Sequence, residues 1–158
     1  QTIGNTMTNA VAFERSHDIL INAPAGAVLD YVSNPNSWPE WIIASHEMDS
    51  PDRPLVEGDT FREQWHTRTG GVELNWKVTE CQSPNLWIAE TMTSFIGLII
   101  ARYDVEQVGD QVRYTRTITN PARPKAPTPE MVERIDAEAK VCLENIKRNV
   151  EAKVAASA

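Results

Sequence analysis

In the stretches FREQW (61–65) and YTRTI (114–118) a charged residue stands in the middle of an alternating apolar run. Glu63 shares a strand face with Phe61 and Trp65, and Arg116 shares one with Tyr114 and Ile118. A charge turned inward among apolar side chains is too costly to persist alone, so it must pair or meet a ligand. Two readings are open. Glu63 and Arg116 form an ion pair retained by the core, or Arg116 anchors a carboxylate, phenolate or carbonyl oxygen while Tyr103 or Tyr114 adds a hydrogen bond. If the chain is an enzyme, the catalytic residues are Glu63 as base and Arg116 as stabiliser of an enolate, acting on a chain oriented in a dry cavity. That chemistry requires no cofactor.

Other chemistries have little support. No Ser-His-Asp order, phosphate-binding glycine loop or metal-ligand cluster occurs. Cys81 and Cys142 lack a C-x-x-C spacing or a histidine at zinc spacing, and are expected to be buried free thiols. The net charge of -7, with 15 scattered Lys and Arg, argues against a nucleic-acid surface. No apolar run is long enough to cross a bilayer, and residues 1–12 lack the layout of a signal peptide, so a soluble, cytoplasmic protein without membrane insertion is expected.

The elements that must position these residues are legible from period and turn chemistry. A first strand from Phe13 to Asn22 places Ile21, Ile19, His17 and Arg15 on one side, and His17 then lies beside Arg116 on a neighbouring strand. His17 reads either as partly exposed filler or as a ligand contact. A short helix beginning near Pro24 carries Val28, Leu29 and Val32, and Asn34-Pro35 restarts a second short helix bearing Trp38 and Trp41. The successive alternating runs from Asp59 to Asn120 predict antiparallel strands.

A Gly70-Gly71 turn would pair Thr67 with Leu74, Trp65 with Trp76, Glu63 with Val78 and Phe61 with Glu80. Phe61, Glu63, Trp65, Leu74, Trp76 and Val78 would point inward, leaving Arg62, Gln64, His66 and Arg68 outside. A Gly109-Asp110 turn would pair Glu106 with Arg113, Val105 with Tyr114 and Tyr103 with Arg116. On the fifth strand a four-residue turn after Cys81 sends Trp87, Ala89 and Thr91 inward, whereas a five-residue turn, the preferred reading, sends Ile88, Glu90 and Met92 there.

From Pro129 the apolar period becomes helical, running through Val132, Ile135, Ala139, Cys142 or Leu143, Ile146, Val150 and Val154. Thr128 is the expected N-cap. The pairs Glu130 with Arg134, Asp136 with Lys140 and Glu144 with Arg148 are expected on its solvent face.

The order of elements, together with Ile21, Ala23, Pro24, Asn34, Pro35, Trp38, Pro39, Glu40 and Trp41, resembles the START-like superfamily, which includes polyketide cyclases, lipid-transfer START domains and Bet v 1 proteins. The resemblance implies an α+β helix-grip fold: a curved seven-stranded antiparallel sheet around a long C-terminal helix, two short helices after the first strand, and an apolar cavity between sheet and helix. At 158 residues and 41% hydrophobic, the chain fits one such domain over 13–156, with 1–12 expected to be mobile.

The expected ligand-binding set is Trp38, Trp41, Trp65, Trp76, Met92, Tyr103, Tyr114, Arg116 and Ile135 with His17. Trp38 and Trp41 would close the open end, as core plug or as cavity wall. The expected partner is a hydrophobic small molecule such as a lipid, polyketide or aromatic compound. The alternative is a chaperone-partner module, suggested by FIGLII (95–100), which places Leu98 and Ile100 outside, where a homodimer contact or loop cover would also account for them.

Overall fold

The structure is a computed structural model that describes residues 10–44, 46–67 and 70–158. Residues 1–9 of the expected N-terminal segment, and Arg68 of the expected outer face, lie outside the described residues.

Strand β1 (Val11–Ile21) leads into helix α1 (Ala25–Val32), a single helical turn at Pro35–Ser37, and helix α2 (Trp38–Trp41). Six strands come next: β2 (His46–Asp49), β3 (Thr60–Thr67), β4 (Gly70–Gln82), β5 (Leu86–Thr93), β6 (Gly97–Val108) and β7 (Gln111–Arg123). Helix α3 (Pro129–Ser157) follows β7. The seven strands form one antiparallel sheet in the order β1-β7-β6-β5-β4-β3-β2.

Alternation sets the faces. Along β6 and β7 the residues Ile99, Ala101, Tyr103, Val105, Val112 and Tyr114 are buried on the inner face. The two strands pair as the Gly109-Asp110 turn dictates, with Tyr103 opposite Arg116 and Val105 opposite Tyr114. Gly109 has φ +61°, the left-handed conformation that a two-residue hairpin turn requires. On the other edge of β7, His17 pairs with Arg116.

The β3–β4 register differs from the expectation. Thr67 pairs with Gly70, Trp65 with Val72, Glu63 with Leu74 and Phe61 with Trp76, so Trp65 and Trp76 do not face each other. The glycines begin strand β4 instead of forming the reversal. A Cβ at Gly71 would meet only the tip of the Gln64 side chain, which can move aside. The displacement is an even number of residues, so every side chain keeps its face. Phe61, Glu63, Leu74, Trp76 and Val78 are buried and Trp65 half-buried, while Arg62, His66, Glu73, Asn75 and Lys77 are exposed.

Strand β5 turns the opposite way from the preferred reading. Trp87, Ala89 and Thr91 are buried on the inner face, and Met92 is 70% exposed on the outer one with Ile88 and Glu90 beside it in the alternation. The cause is a bulge at Thr79. Val78 pairs with Ala89 but Glu80 pairs with Ile88, so one extra residue of β4 reverses the parity of every position beyond it. Met92 is therefore removed from the cavity wall.

Helix α3 starts as its capping residues require: Thr128 Oγ1 accepts from the Met131 backbone N–H at 3.1 Å, with Pro129 at the first helical position. Ala139, Cys142, Leu143, Ile146 and Val150 form its buried stripe. Cys81, expected buried, is half-buried. None of the three expected i,i+4 pairs forms an ion pair among the described residues. Asp136 turns to β1 instead, where its carboxylate takes Arg15 at 2.6 Å and His17 Nε2 at 2.8 Å.

The short helices plug the sheet's concave side. Trp38 is 3% exposed and Trp41 fully buried, and each indole N–H finds a local acceptor: the Val32 carbonyl at 3.0 Å and Ser37 Oγ at 3.1 Å. The Trp38 ring lies 5.3 Å from Phe61, 5.7 Å from Trp76 and 6.4 Å from both Trp87 and Tyr103. Burying one such indole is worth at most about 4–6 kcal/mol by area. Asn149 of α3 and Glu40 of α2 both bond the Tyr31 hydroxyl of α1, at 2.9 and 2.8 Å, and so tie the three helices together.

Candidate functional site: a cavity between sheet and long helix

Between the inner face of the sheet, α2 and α3 lies a cavity of about 290 Å³. Its aromatic walls come from Phe13, Trp38, Trp65, Trp76 and Tyr103, and its aliphatic walls from Ile42, Ile96, Ile99, Ala101, Ile118 and Ile135. Against these stand six polar side chains: Arg15, His46, Glu63, Arg116, Asn120 and Arg123. A smaller cavity of about 150 Å³ adjoins it toward α3 and shares Arg15, Ile42, Ala44, Arg116, Ile118 and Ile135.

Arg116 thus stands between the two. It projects from the middle of β7, its guanidinium carbon 5.4 Å from the centre of the Trp41 ring. Among the described residues no carboxylate lies within ion-pair distance of it, and its Nε is buried without a hydrogen-bond partner. Of the two open readings, the ion pair between Glu63 and Arg116 does not form among the described residues. A guanidinium keeps its proton in any protein environment, so this is a positive charge on the cavity wall.

Tyr103 faces Arg116 across the β6–β7 ladder. Burial pushes its phenol upward from the ordinary tyrosine value and Arg116 pulls it partly back, so at neutral pH the hydroxyl is an uncharged donor. Tyr114, two residues from Arg116 on the same face, is fully buried beneath the cavity wall rather than on it. Burial raises its phenol well above the ordinary value, and among the described residues its Oη has no partner. Cys142 of α3 lines the smaller cavity, where burial raises its thiol against the opposing pull of Arg116.

Glu63 lines the same cavity from β3. It is 4% exposed, and Trp76 Nε1 donates to its Oε1 at 3.0 Å. Trp41 lies behind the cavity wall as the platform under Arg116, and His17 lines only the smaller cavity, held by Asp136. Of the expected ligand contacts, Trp38, Trp65, Trp76, Tyr103, Arg116 and Ile135 are brought together around one space. Trp41, Tyr114 and His17 border it at one remove, and Met92 is on the far side of the sheet.

Sequence reasoning missed His46 and Arg123, and the preferred reading of β5 turned Trp87 outward. His46 lies on β2, a strand of four residues whose alternation is too short to stand out. Its pairing with Trp65 puts it on the inner face. Arg123 lies 5.7 Å over the Phe13 ring at the end of β7. Trp87 Nε1 donates to the Leu55 carbonyl at 3.0 Å, fastening the segment between β2 and β3 beneath the sheet.

Among the described residues no cluster of three or more His, Cys, Asp or Glu could hold a metal ion, and no helix is long and apolar enough to cross a membrane.

Solved structures share this architecture at low identity. The crystal structure of Ara h 8.0201 superposes with a TM-score of 0.67 at 10% identity, covering 90% of this chain and 99% of that one. The di-domain ARO/CYC StfQ from the steffimycin biosynthetic pathway gives 0.69 at 11% identity over 95% of this chain, which spans 54% of that protein's length. The Aha1 dimer from Colwellia psychrerythraea gives 0.65 at 17%, covering 88% of this chain and 96% of that one. No curated protein matches the sequence. Residues 12–151 match the family described as polyketide cyclase / dehydrase and lipid transport, and on that extent of match the chain belongs to this family.

Proposed function

We propose that this protein binds a hydrophobic, ring-containing small molecule in the larger cavity and holds it through an acidic or carbonyl oxygen on Arg116. The observation that carries the reading is Arg116 itself: a guanidinium on the wall of a mostly apolar cavity which, among the described residues, has no carboxylate partner and a buried, unbonded Nε. A buried charge of this kind is kept at a cost to stability, and an oxyanion or carbonyl ligand would offset that cost. Tyr103 supplies a second donor beside it.

The volume supports a single ring system or short acyl chain. About 290 Å³ stands at the lower end of the roughly 300–1,000 Å³ usual for small-molecule sites, which leaves little room for a two-chain lipid. Aromatic walls fit the flat faces of a ring, and sparse polar groups fix its orientation. On the outer face Leu98 and Ile100 are each half-covered, which favours the cavity over the outer strip as the working surface.

The test is calorimetric titration of the purified protein with naphthoate and with methylnaphthalene, which share a ring system and differ in the oxygen head. Wild type is expected to prefer the acid, and Arg116→Gln to lose that preference while keeping its fold. An acid preference that survives in Arg116→Gln would remove Arg116 as the anchor.

A further inference from the structure

We propose that His46 and Glu63 form an acceptor pole facing Arg116 across the cavity, so that the ligand carries a hydroxyl or other hydrogen-bond donor at the end of its ring system opposite its acidic or carbonyl oxygen. The inference rests on the reading of Arg116 as the ligand's anchor and adds what the other end of the molecule must be.

His46 sets the polarity of this wall. Its Nδ1 lies 2.7 Å from the Ala44 carbonyl oxygen, which can only accept, so Nδ1 carries the proton and donates. Nε2 is then the ring's second nitrogen, an acceptor whenever the ring carries a single proton. Among the described residues that atom is buried and has no hydrogen-bond partner. It belongs to a side chain that lines the cavity.

Glu63 is the second acceptor. Its carboxyl oxygens accept hydrogen bonds, and the one that reaches them comes from Trp76. No Lys, Arg or His among the described residues forms an ion pair with it. On the β2–β3 ladder Trp65 pairs with His46 and Met48 with Glu63, so His46 and Glu63 are diagonal neighbours on the inner face. His46 Nε2 and Glu63 are not hydrogen-bonded to each other, and the protein donor that reaches this wall is Trp76, so the wall has room for one more donor. A ligand hydroxyl pointed at them supplies the missing donor.

The opposite wall has the complementary deficit. Arg116 and Tyr103 are donors, and the Arg116 Nε lacks an acceptor. In the sheet β7 is separated from β3 by β6, β5 and β4, yet Arg116 and Tyr103 line the same cavity as His46 and Glu63. Donors at one end, acceptors at the other and aromatic rings between them describe a hydroxylated ring acid or hydroxylated aryl ketone more closely than a fatty acid, whose far end is a methyl group.

The experiment compares three naphthoates by calorimetry: the parent, one with a hydroxyl at the ring carbon farthest from the carboxylate, and the methyl ether of that hydroxyl. In wild type the hydroxyl compound is expected to bind about tenfold or more tighter than the other two, the ordinary worth of a hydrogen bond to a charged acceptor. In His46→Phe, and in Glu63→Gln, which keeps an acceptor for Trp76, that preference should shrink toward unity, whereas Arg116→Gln should weaken all three compounds alike. The wild-type comparison needs no substitution and stands even if a variant fails to fold. If the three bind wild type equally and all still depend on Arg116, the acceptor pole is wrong and the Arg116 anchor stands. If none depends on Arg116, the anchor is wrong and this inference falls with it.

Discussion

The Arg116 guanidinium rests on the Trp41 ring at 5.4 Å, so this enclosed cation is supported by an aromatic face and not by a carboxylate. The two residues do different work. Trp41 fills space that nothing else can fill, whereas Arg116 occupies a position that an apolar side chain would hold at less desolvation cost.

A stability measurement separates them. Trp41→Ala is expected to lose about 3–5 kcal/mol, the usual cost of emptying a fully buried indole site. Arg116→Met is expected to melt at or above the wild-type temperature, because the methionine gives up a cation–π contact of about 2 kcal/mol but no longer desolvates a charge, which costs several kcal/mol. Thermal melts of both variants check this, and an Arg116→Met protein as crippled as Trp41→Ala would make the arginine structural.

Asp136 makes stability depend on acid. Hydrogen bonds from Arg15 and then from His17 hold its carboxyl below the ordinary aspartate value. A carboxyl whose value is depressed in the folded state contributes stability that is fully present above its unfolded value, about 3.9, and is lost as the pH falls through the folded value. Wild type should therefore be more stable than Asp136→Asn at neutral pH, and the gap should close on acidification below about pH 4. Melting curves of the two proteins across that range give the answer, and a gap that stays constant would show that the ionisation of Asp136 is not what links α3 to β1.

The facing of β5 has its own test. Met92→Lys, on the outer face at 70% exposure, is expected to change stability by no more than about 0.5 kcal/mol. Ala89→Leu, on the fully buried inner face, should cost about 1–3 kcal/mol through overpacking. Urea denaturation of the pair would overturn the observed parity if their order were reversed.

How much of this was legible beforehand depended on the kind of signal. The β6–β7 pairing, including Tyr103 opposite Arg116, comes from one turn whose glycine adopts the conformation it is best suited to. The inner face of β3 and β4 was also legible, because an even register displacement leaves alternation untouched. Met92 and Trp87 were assigned to the wrong sides because a bulge at Thr79 adds a residue that alternation cannot register. Asp136 was read against Lys140 on its own helix, since spacing along α3 carries no information about Arg15 and His17 on β1. His46 was invisible for a related reason. Its importance comes from a buried Nε2 left without a partner while Nδ1–H donates to the Ala44 carbonyl, and only three-dimensional placement exposes that.

The grip of Asp136 on Arg15 and His17 joins residues 121 and 119 positions apart, and β1 finds its sheet partner in β7. Contacts so distant along the chain make folding slow, because the connecting loop must close before any of them rewards the closure. During synthesis, strands β2 to β6 emerge with one edge unoccupied and an apolar face bare. The cavity comes into existence only when α3 has left the ribosome, so the newborn chain passes through its most aggregation-prone interval before it has anywhere to put a ligand.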